Sequence, residues 1–118
     1  MILLVGDGAA QLTIQEFGSM LRDGLNLIIF LLNNQGYTVE RAIHGPHQRY
    51  NDIAVWDWTQ LPRALAVGKQ YVTHCVTKTH QLQHLLAQIE NGQHLALIEV
   101  VLPQMDIPDL LINVAKSI

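Results

Sequence analysis

The sequence has 118 residues, 49% of them hydrophobic and only 14% charged, with a net charge of -3. That length fits one small domain, residues 1–118, with a moderate core. With no basic cluster it lacks the electrostatic footprint of nucleic-acid binding, and no run of 18 apolar residues is there to span a membrane.

A charged fraction well below the roughly 25% usual in soluble domains implies that much of the surface meets another domain or subunit. The six His and many Gln offer the plainer alternative of a neutral polar surface. The single Cys75 excludes an intrachain disulfide and suits a reducing cytoplasm. Its strand setting predicts a buried, inert thiol. Residues 2–5 are apolar but stop at Gly6, so they are neither a signal peptide nor an anchor. Opening directly on a buried-looking strand suggests a piece of something longer.

In chain order, Ile2 to Val5 reads as a central strand of a parallel sheet. Ala10 to Arg22 carries Leu12, Phe17, Met20 and Leu21 on roughly one helical face, with Gly24 as a stop. Leu27 to Leu32 is a second buried strand, completing a βαβ unit. A short helix over Tyr37 to Ile43 follows, then an irregular stretch from Gly45 to Trp58. Leu61 to Val67 reads as helix, with Pro62 in its first turn. Gln70 to Val76 reads as strand. Thr79 to Asn91 is an amphipathic helix capped by Thr79 and ended by Gly92. Leu95 to Leu102 is a long apolar strand, and Ile107 to Lys116 a final helix. The alternation predicts an α/β fold: a mostly parallel open sheet with helices on both faces.

Two apolar strands end unusually, one on Gly6-Asp7-Gly8 and the other on Asn33-Asn34, with 24 residues between Gly8 and Asn33. In an open parallel sheet, ligands sit beyond the C-terminal strand ends, so these loops can share one site. An Asp carboxylate, an Asn carbonyl oxygen and backbone carbonyls are hard oxygen ligands that suit octahedral Mg²⁺. Gly8 removes bulk just before a helix N-terminus, where the N–H groups of Gly8 and Ala9 can receive a phosphate. Gly36 lets the second loop turn back so that its carbonyl reaches the metal. The pair of motifs reads as a Mg²⁺-diphosphate clamp. Either motif alone is ordinary turn chemistry, with Asp7 as a helix cap.

The pattern Gly6-Asp7-Gly8 with Asn33-Asn34 resembles the thiamine diphosphate signature. The continuation "NNQGYTVERAIHGPHQRYNDI", with "GDGAAQLTIQEFGSMLRDG" and "LIEVVLPQMDIP", resembles the pyruvate and indolepyruvate (2-oxo acid) decarboxylases. The similarity extends over essentially all 118 residues and matches the last part of a C-terminal cofactor-binding domain, truncated at its N-terminus. It implies Mg²⁺ ligands at Asp7, the Asn34 side chain and the Gly36 carbonyl. Gly6, Gly8, Ala9 and Tyr37 would join Asp7, Asn34 and Gly36 in holding thiamine diphosphate. Glu40 would face the thiazolium and the bound 2-oxo acid, one helical turn beyond Gly36 on the same face. Val39 would border the substrate pocket, and its small size leaves room for an aromatic or branched 2-oxo acid.

The implied reaction is non-oxidative decarboxylation, releasing CO2 and an aldehyde, with the cofactor taking up the electron pair. Family members draw the aminopyrimidine side of the site, including a His pair, from the N-terminal domain of a neighbouring subunit. No His-His pair occurs here. The resemblance therefore implies a homo-oligomer, further domains as partners, and an isolated chain that is inactive. Two alternatives stand beside it: an acetolactate synthase-like carboligase, and a non-catalytic domain that only binds or assembles. For the remaining candidates the plainer reading is preferred. His80 and His84 have metal-ligand spacing but no evident third ligand. His44 borders the site or is structural. Trp56 and Trp58 pack a domain contact, and Asn51 and Asp52 are turn residues.

Overall fold

The computed structural model describes residues 1–89 and 92–118. Its element order is β1 (Ile2–Gly6), α1 (Asp7–Thr13), α2 (Glu16–Arg22), β2 (Ile28–Asn33), α3 (Thr38–His44), α4 (Leu61–Leu65), β3 (Tyr71–Val76), α5 (Thr79–Ile89), β4 (Leu95–Val101) and α6 (Asp109–Ser117). Short 3-10 turns occupy Arg49–Asn51 and Trp58–Gln60. The four strands form one sheet in the order β1-β2-β4-β3. All pairings are parallel, with Gly6 opposite Leu32, Ile28 opposite Ala96 and Tyr71 opposite Leu95. The expected α/β class and parallel sheet are observed.

The two long apolar runs, β2 and β4, are the central strands because only these are covered on both faces. Side chains alternate between the faces. Ile29, Leu31, Leu95 and Leu97 pack against Ala10, Phe17, Leu21 and Trp58 on one side. Phe30 and Ile98 meet Val76, Leu85 and Ile89 on the other. Helices therefore cover both faces.

Several sequence expectations are corrected. β1 is an edge strand, and Ile2 and Leu4 are 64% and 68% exposed. Its apolarity resembles that of a buried strand, but among the described residues nothing covers one side. The helix expected over Ala10–Arg22 is broken at Ile14 and Gln15 into α1 and α2. Trp58 is 2% exposed and belongs to the core, with Trp56 tilted against it at 5.2 Å between ring centroids. α5 begins at Thr79, so Thr79 is not its cap. Instead Gln81 Oε1 accepts the backbone N–H groups of Thr77 and Lys78 at 3.0 and 3.1 Å. The last two positions of that predicted helix lie outside the described residues. Cys75 is exposed on the edge strand β3 rather than buried. Its thiol pKa is nonetheless raised, first by partial burial and then by the neighbouring Glu99 carboxylate.

Candidate functional site

β1 and β2 run side by side, so Asp7 and the Asn33–Gly36 turn emerge together at one edge of the sheet's C-terminal end. Asp7 is the first residue of α1 and is 1% exposed. One carboxylate oxygen accepts the Gly8 N–H at 2.8 Å, and the other accepts the Gly36 N–H at 3.0 Å. The Gly8 N–H is thus turned onto Asp7, whereas the sequence reading expects it to be available to a phosphate. α1 carries no side-chain cap, and its N-cap Gly6 borders open space: a Cβ there would meet nothing within 4 Å. Tyr37 lies over Gly8, with its hydroxyl 3.4 Å from the Gly8 carbonyl oxygen.

The Asn34 carboxamide faces both Asp7 and Gly36. One end lies 2.9 Å from the Gly36 carbonyl oxygen and 3.2 Å from Asp7 Oδ1, while the other lies 3.0 Å from Thr38 Oγ1. Thr38 argues for one orientation. Its hydroxyl donates to the Gln104 carbonyl at 2.7 Å, and a hydroxyl has one proton. It therefore offers a lone pair to Asn34, which favours Nδ2 toward Thr38 and Oδ1 toward Asp7 and Gly36. Three acceptor oxygens then converge with no proton between them, an arrangement that a cation relieves. Turned the other way, the amide would fill the cluster itself, and Thr38 would have to leave Gln104. Neighbouring ligands of an octahedral Mg²⁺ at 2.0–2.1 Å are about 2.9 Å apart. The two spacings measured from Asn34, 2.9 and 3.2 Å, are close to that value.

Gln35 has φ +61, a left-handed conformation that is uncommon outside glycine. Gly36 has φ +120, and a Cβ on it would run into the Asn51 carbonyl oxygen. Glycine is required there on both counts. Because α3 starts at Thr38, Gly36 precedes the helix and shares no helical face with Glu40. Glu40 lies in the first turn of α3, half exposed, with Oε2 2.8 Å from His44 Nδ1. Val39 is 52% exposed beside it.

Residues with no expected role surround this turn. Arg41 is buried, and its Nη2 donates to the carbonyls of Gln35 at 2.7 Å and Asn51 at 3.1 Å, and to Asp52 Oδ1 at 2.9 Å. Asn51 is fully buried and Asp52 holds the guanidinium, so neither is a simple turn residue. Among the described residues, Arg41 Nε and Nη1 and Asn51 Oδ1 find no partner. Asn33 Nδ2 donates to the buried Glu99 at 2.7 Å, and its Oδ1 accepts the Gln35 N–H at 3.2 Å. In the sequence, Arg41 looks like any basic residue on a short helix. The doubled asparagine was the one available hint for Asn33.

Elsewhere, His80 and His84 both lie on α5, and His84 Nε2 is 3.1 Å from Gln88 Nε2. No cluster of three His, Cys, Asp or Glu able to hold a metal occurs among the described residues. None of their helices is long and apolar enough to cross a membrane. A cavity of about 370 Å³ opens at the opposite end of the sheet, against Met1, Ile28, Val72 and Ala96, far from the paired motifs.

The family model "Thiamine pyrophosphate enzyme, C-terminal TPP binding domain" matches residues 1–100. The chain belongs to this family. It is 46% identical over 115 residues to an alpha-keto-acid decarboxylase of Mycolicibacterium paratuberculosis, an alignment covering 98% of this chain. It is 48% identical over 110 residues, 93% of the chain, to one from Mycobacterium tuberculosis. It is 44% identical over 117 residues, 99% of the chain, to one from Mycobacterium ulcerans. The chain spans about a fifth of the length of these relatives: 20%, 20% and 21%. In this thiamine pyrophosphate-binding family, the paired strand-end motifs lie where an open parallel sheet binds its ligand.

Proposed function

We propose that this chain is the Mg²⁺- and diphosphate-binding part of a thiamine diphosphate-dependent 2-oxo acid decarboxylase that releases CO2 and an aldehyde. The observation that carries the metal assignment is the approach of the Asn34 carboxamide to the Gly36 carbonyl oxygen at 2.9 Å and to Asp7 Oδ1 at 3.2 Å. The named activity of the relatives supports the reaction.

Thiamine diphosphate, when bound, supplies the electron sink that lets CO2 depart. The chain's own residues hold its phosphate end. Asp7, Asn34 and the Gly36 carbonyl would ligate Mg²⁺, which would neutralise the diphosphate charge. The open space at Gly6 and the backbone N–H of Ala9 at the start of α1 would receive the phosphate oxygens. Tyr37 closes this side over Gly8. Glu40 would stand beside the substrate carboxylate and move a proton at its Oε2, with His44 as its hydrogen-bond partner. The exposed Val39 fits a pocket wall, and a bulky aromatic or branched 2-oxo acid is the substrate we assign. The exposed apolar side chains of β1 support contact with further domains or subunits in a homo-oligomer. A single cysteine with no intrachain partner supports a reducing cytoplasm as its setting.

The test is calorimetric titration of the chain with thiamine diphosphate, with and without Mg²⁺, beside Asp7→Ala. Binding that requires both Mg²⁺ and Asp7 is expected. Binding of equal strength in the Asp7→Ala chain would refute the assigned ligand set.

A further inference from the structure

The side chains of Arg41 and Asn33 have no place in the clamp itself, yet their bonds converge on the turn that supplies its backbone ligand. We propose that Arg41 is the positioning residue of the cation site, with Asn33 as its helper: together they aim the Gly36 carbonyl at Asp7 and Asn34. This rests on the ligand set proposed above.

Three successive backbone N–H groups are held. Gln35 N–H goes to Asn33 Oδ1, Gly36 N–H to Asp7 Oδ2 and Tyr37 N–H to the Asn51 carbonyl, at 3.2, 3.0 and 2.9 Å. In a planar trans peptide the N–H and the preceding C=O point in opposite directions. Holding the Tyr37 N–H on Asn51 therefore turns the Gly36 carbonyl the other way, toward Asn34. Arg41 Nη2 grips the acceptor of that bond, the Asn51 carbonyl, and the Gln35 carbonyl as well. One guanidinium nitrogen thus ties the turn to the segment it leans on. Gln35, with an exposed side chain, is held at φ +61 by bonds at both its backbone groups.

The guanidinium is retained under unfavourable conditions. Arg41 is 1% exposed, and among the described residues its charged partner, Asp52, is largely exposed and two of its nitrogens are unpartnered. A hydrophobic residue would stabilise such a place at least as well. Aiming the ligand turn accounts for its presence.

The experiment measures the Mg²⁺ concentration that half-saturates thiamine diphosphate binding, by calorimetry, and the unfolding midpoint without ligand. It compares the wild-type chain, Arg41→Lys, Asn33→Ala, Gln35→Val and Arg41→Lys combined with Gln35→Gly. Loss of an outer partner to a metal ligand typically weakens metal affinity about 10–100-fold. We expect a rise of at least about tenfold for Arg41→Lys, and a smaller rise for Asn33→Ala. Glycine adopts the left-handed turn unaided, so Gln35→Gly should recover part of the loss. A residue that only stabilises the fold would lower the midpoint without changing the Mg²⁺ demand, and that result would overturn the proposal. If Arg41→Lys does not fold, Gln35→Val decides, because its exposed β-branched side chain disfavours φ +61 without touching the core. Unchanged Mg²⁺ demand in it would then overturn the proposal. Absence of Asp7-dependent binding in the wild-type chain would overturn the ligand set itself, and the positioning role with it.

Discussion

Replacing Gly36 with alanine should be among the most damaging single changes in this chain, although it adds only one methyl group. A non-glycine residue held at a sparsely populated positive φ costs about 1–3 kcal/mol. The new Cβ also meets the Asn51 carbonyl oxygen and, at 2.9 Å, Arg41 Nη2. Neither can give way easily, since Asn51 and Arg41 are both buried. Displacing that carbonyl weakens its bond to the Tyr37 N–H, worth about 0.5–1.5 kcal/mol, and its charged bond to Arg41, worth about 1.5–3 kcal/mol. Allowing for partial relaxation, the loss is about 3–6 kcal/mol. That is a large share of the roughly 5–15 kcal/mol that holds a domain folded. Urea unfolding followed by circular dichroism measures it. Gly6→Ala is the matched control. Its φ of -76° is ordinary and the space around it is open, so stability should change by less than about 1 kcal/mol, while cofactor binding weakens. A Gly36→Ala loss below about 1 kcal/mol would refute the account of the turn.

Other outcomes follow from individual residues. Trp58→Ala removes the largest fully buried side chain and should cost about 3–5 kcal/mol in the same unfolding assay. Glu40→Gln breaks a half-exposed pair with His44, so stability should move by no more than about 0.5 kcal/mol. In an enzyme assembled with its remaining domains, the same change should lower aldehyde release about a hundredfold or more. Because its pKa is raised, Cys75 should be less deprotonated at pH 8 than a free cysteine, and its alkylation by iodoacetamide correspondingly slower. Removing the nearby charge with Glu99→Gln should shift the alkylation profile toward lower pH.

Much of the architecture was legible because burial on two faces writes a continuous apolar run, as in Leu27–Leu32 and Leu95–Leu102. The same rule misplaced β1, whose apolar residues form an exposed edge here. The break after Thr13 left no clear mark, since no proline or glycine announces it. Asp7, Asn34 and Gly36 stood out because two polar motifs each end an apolar strand, and the geometry brings them together. Arg41, Asn51, Asp52 and Glu99 did not stand out. Their roles come from long-range packing, and a buried guanidinium has the same letter as a solvated one. Glu40 was singled out by family resemblance alone, and its pairing with His44 is also what an ordinary helix surface would produce.

The most direct test is a crystal of this chain grown with thiamine diphosphate and Mn²⁺, with the anomalous signal used to find the metal. One peak is expected, within about 2.2 Å of Asp7 Oδ1, Asn34 Oδ1 and the Gly36 carbonyl oxygen. A peak on His80 and His84, or a cofactor bound with no metal between those three oxygens, would contradict the assigned ligand set.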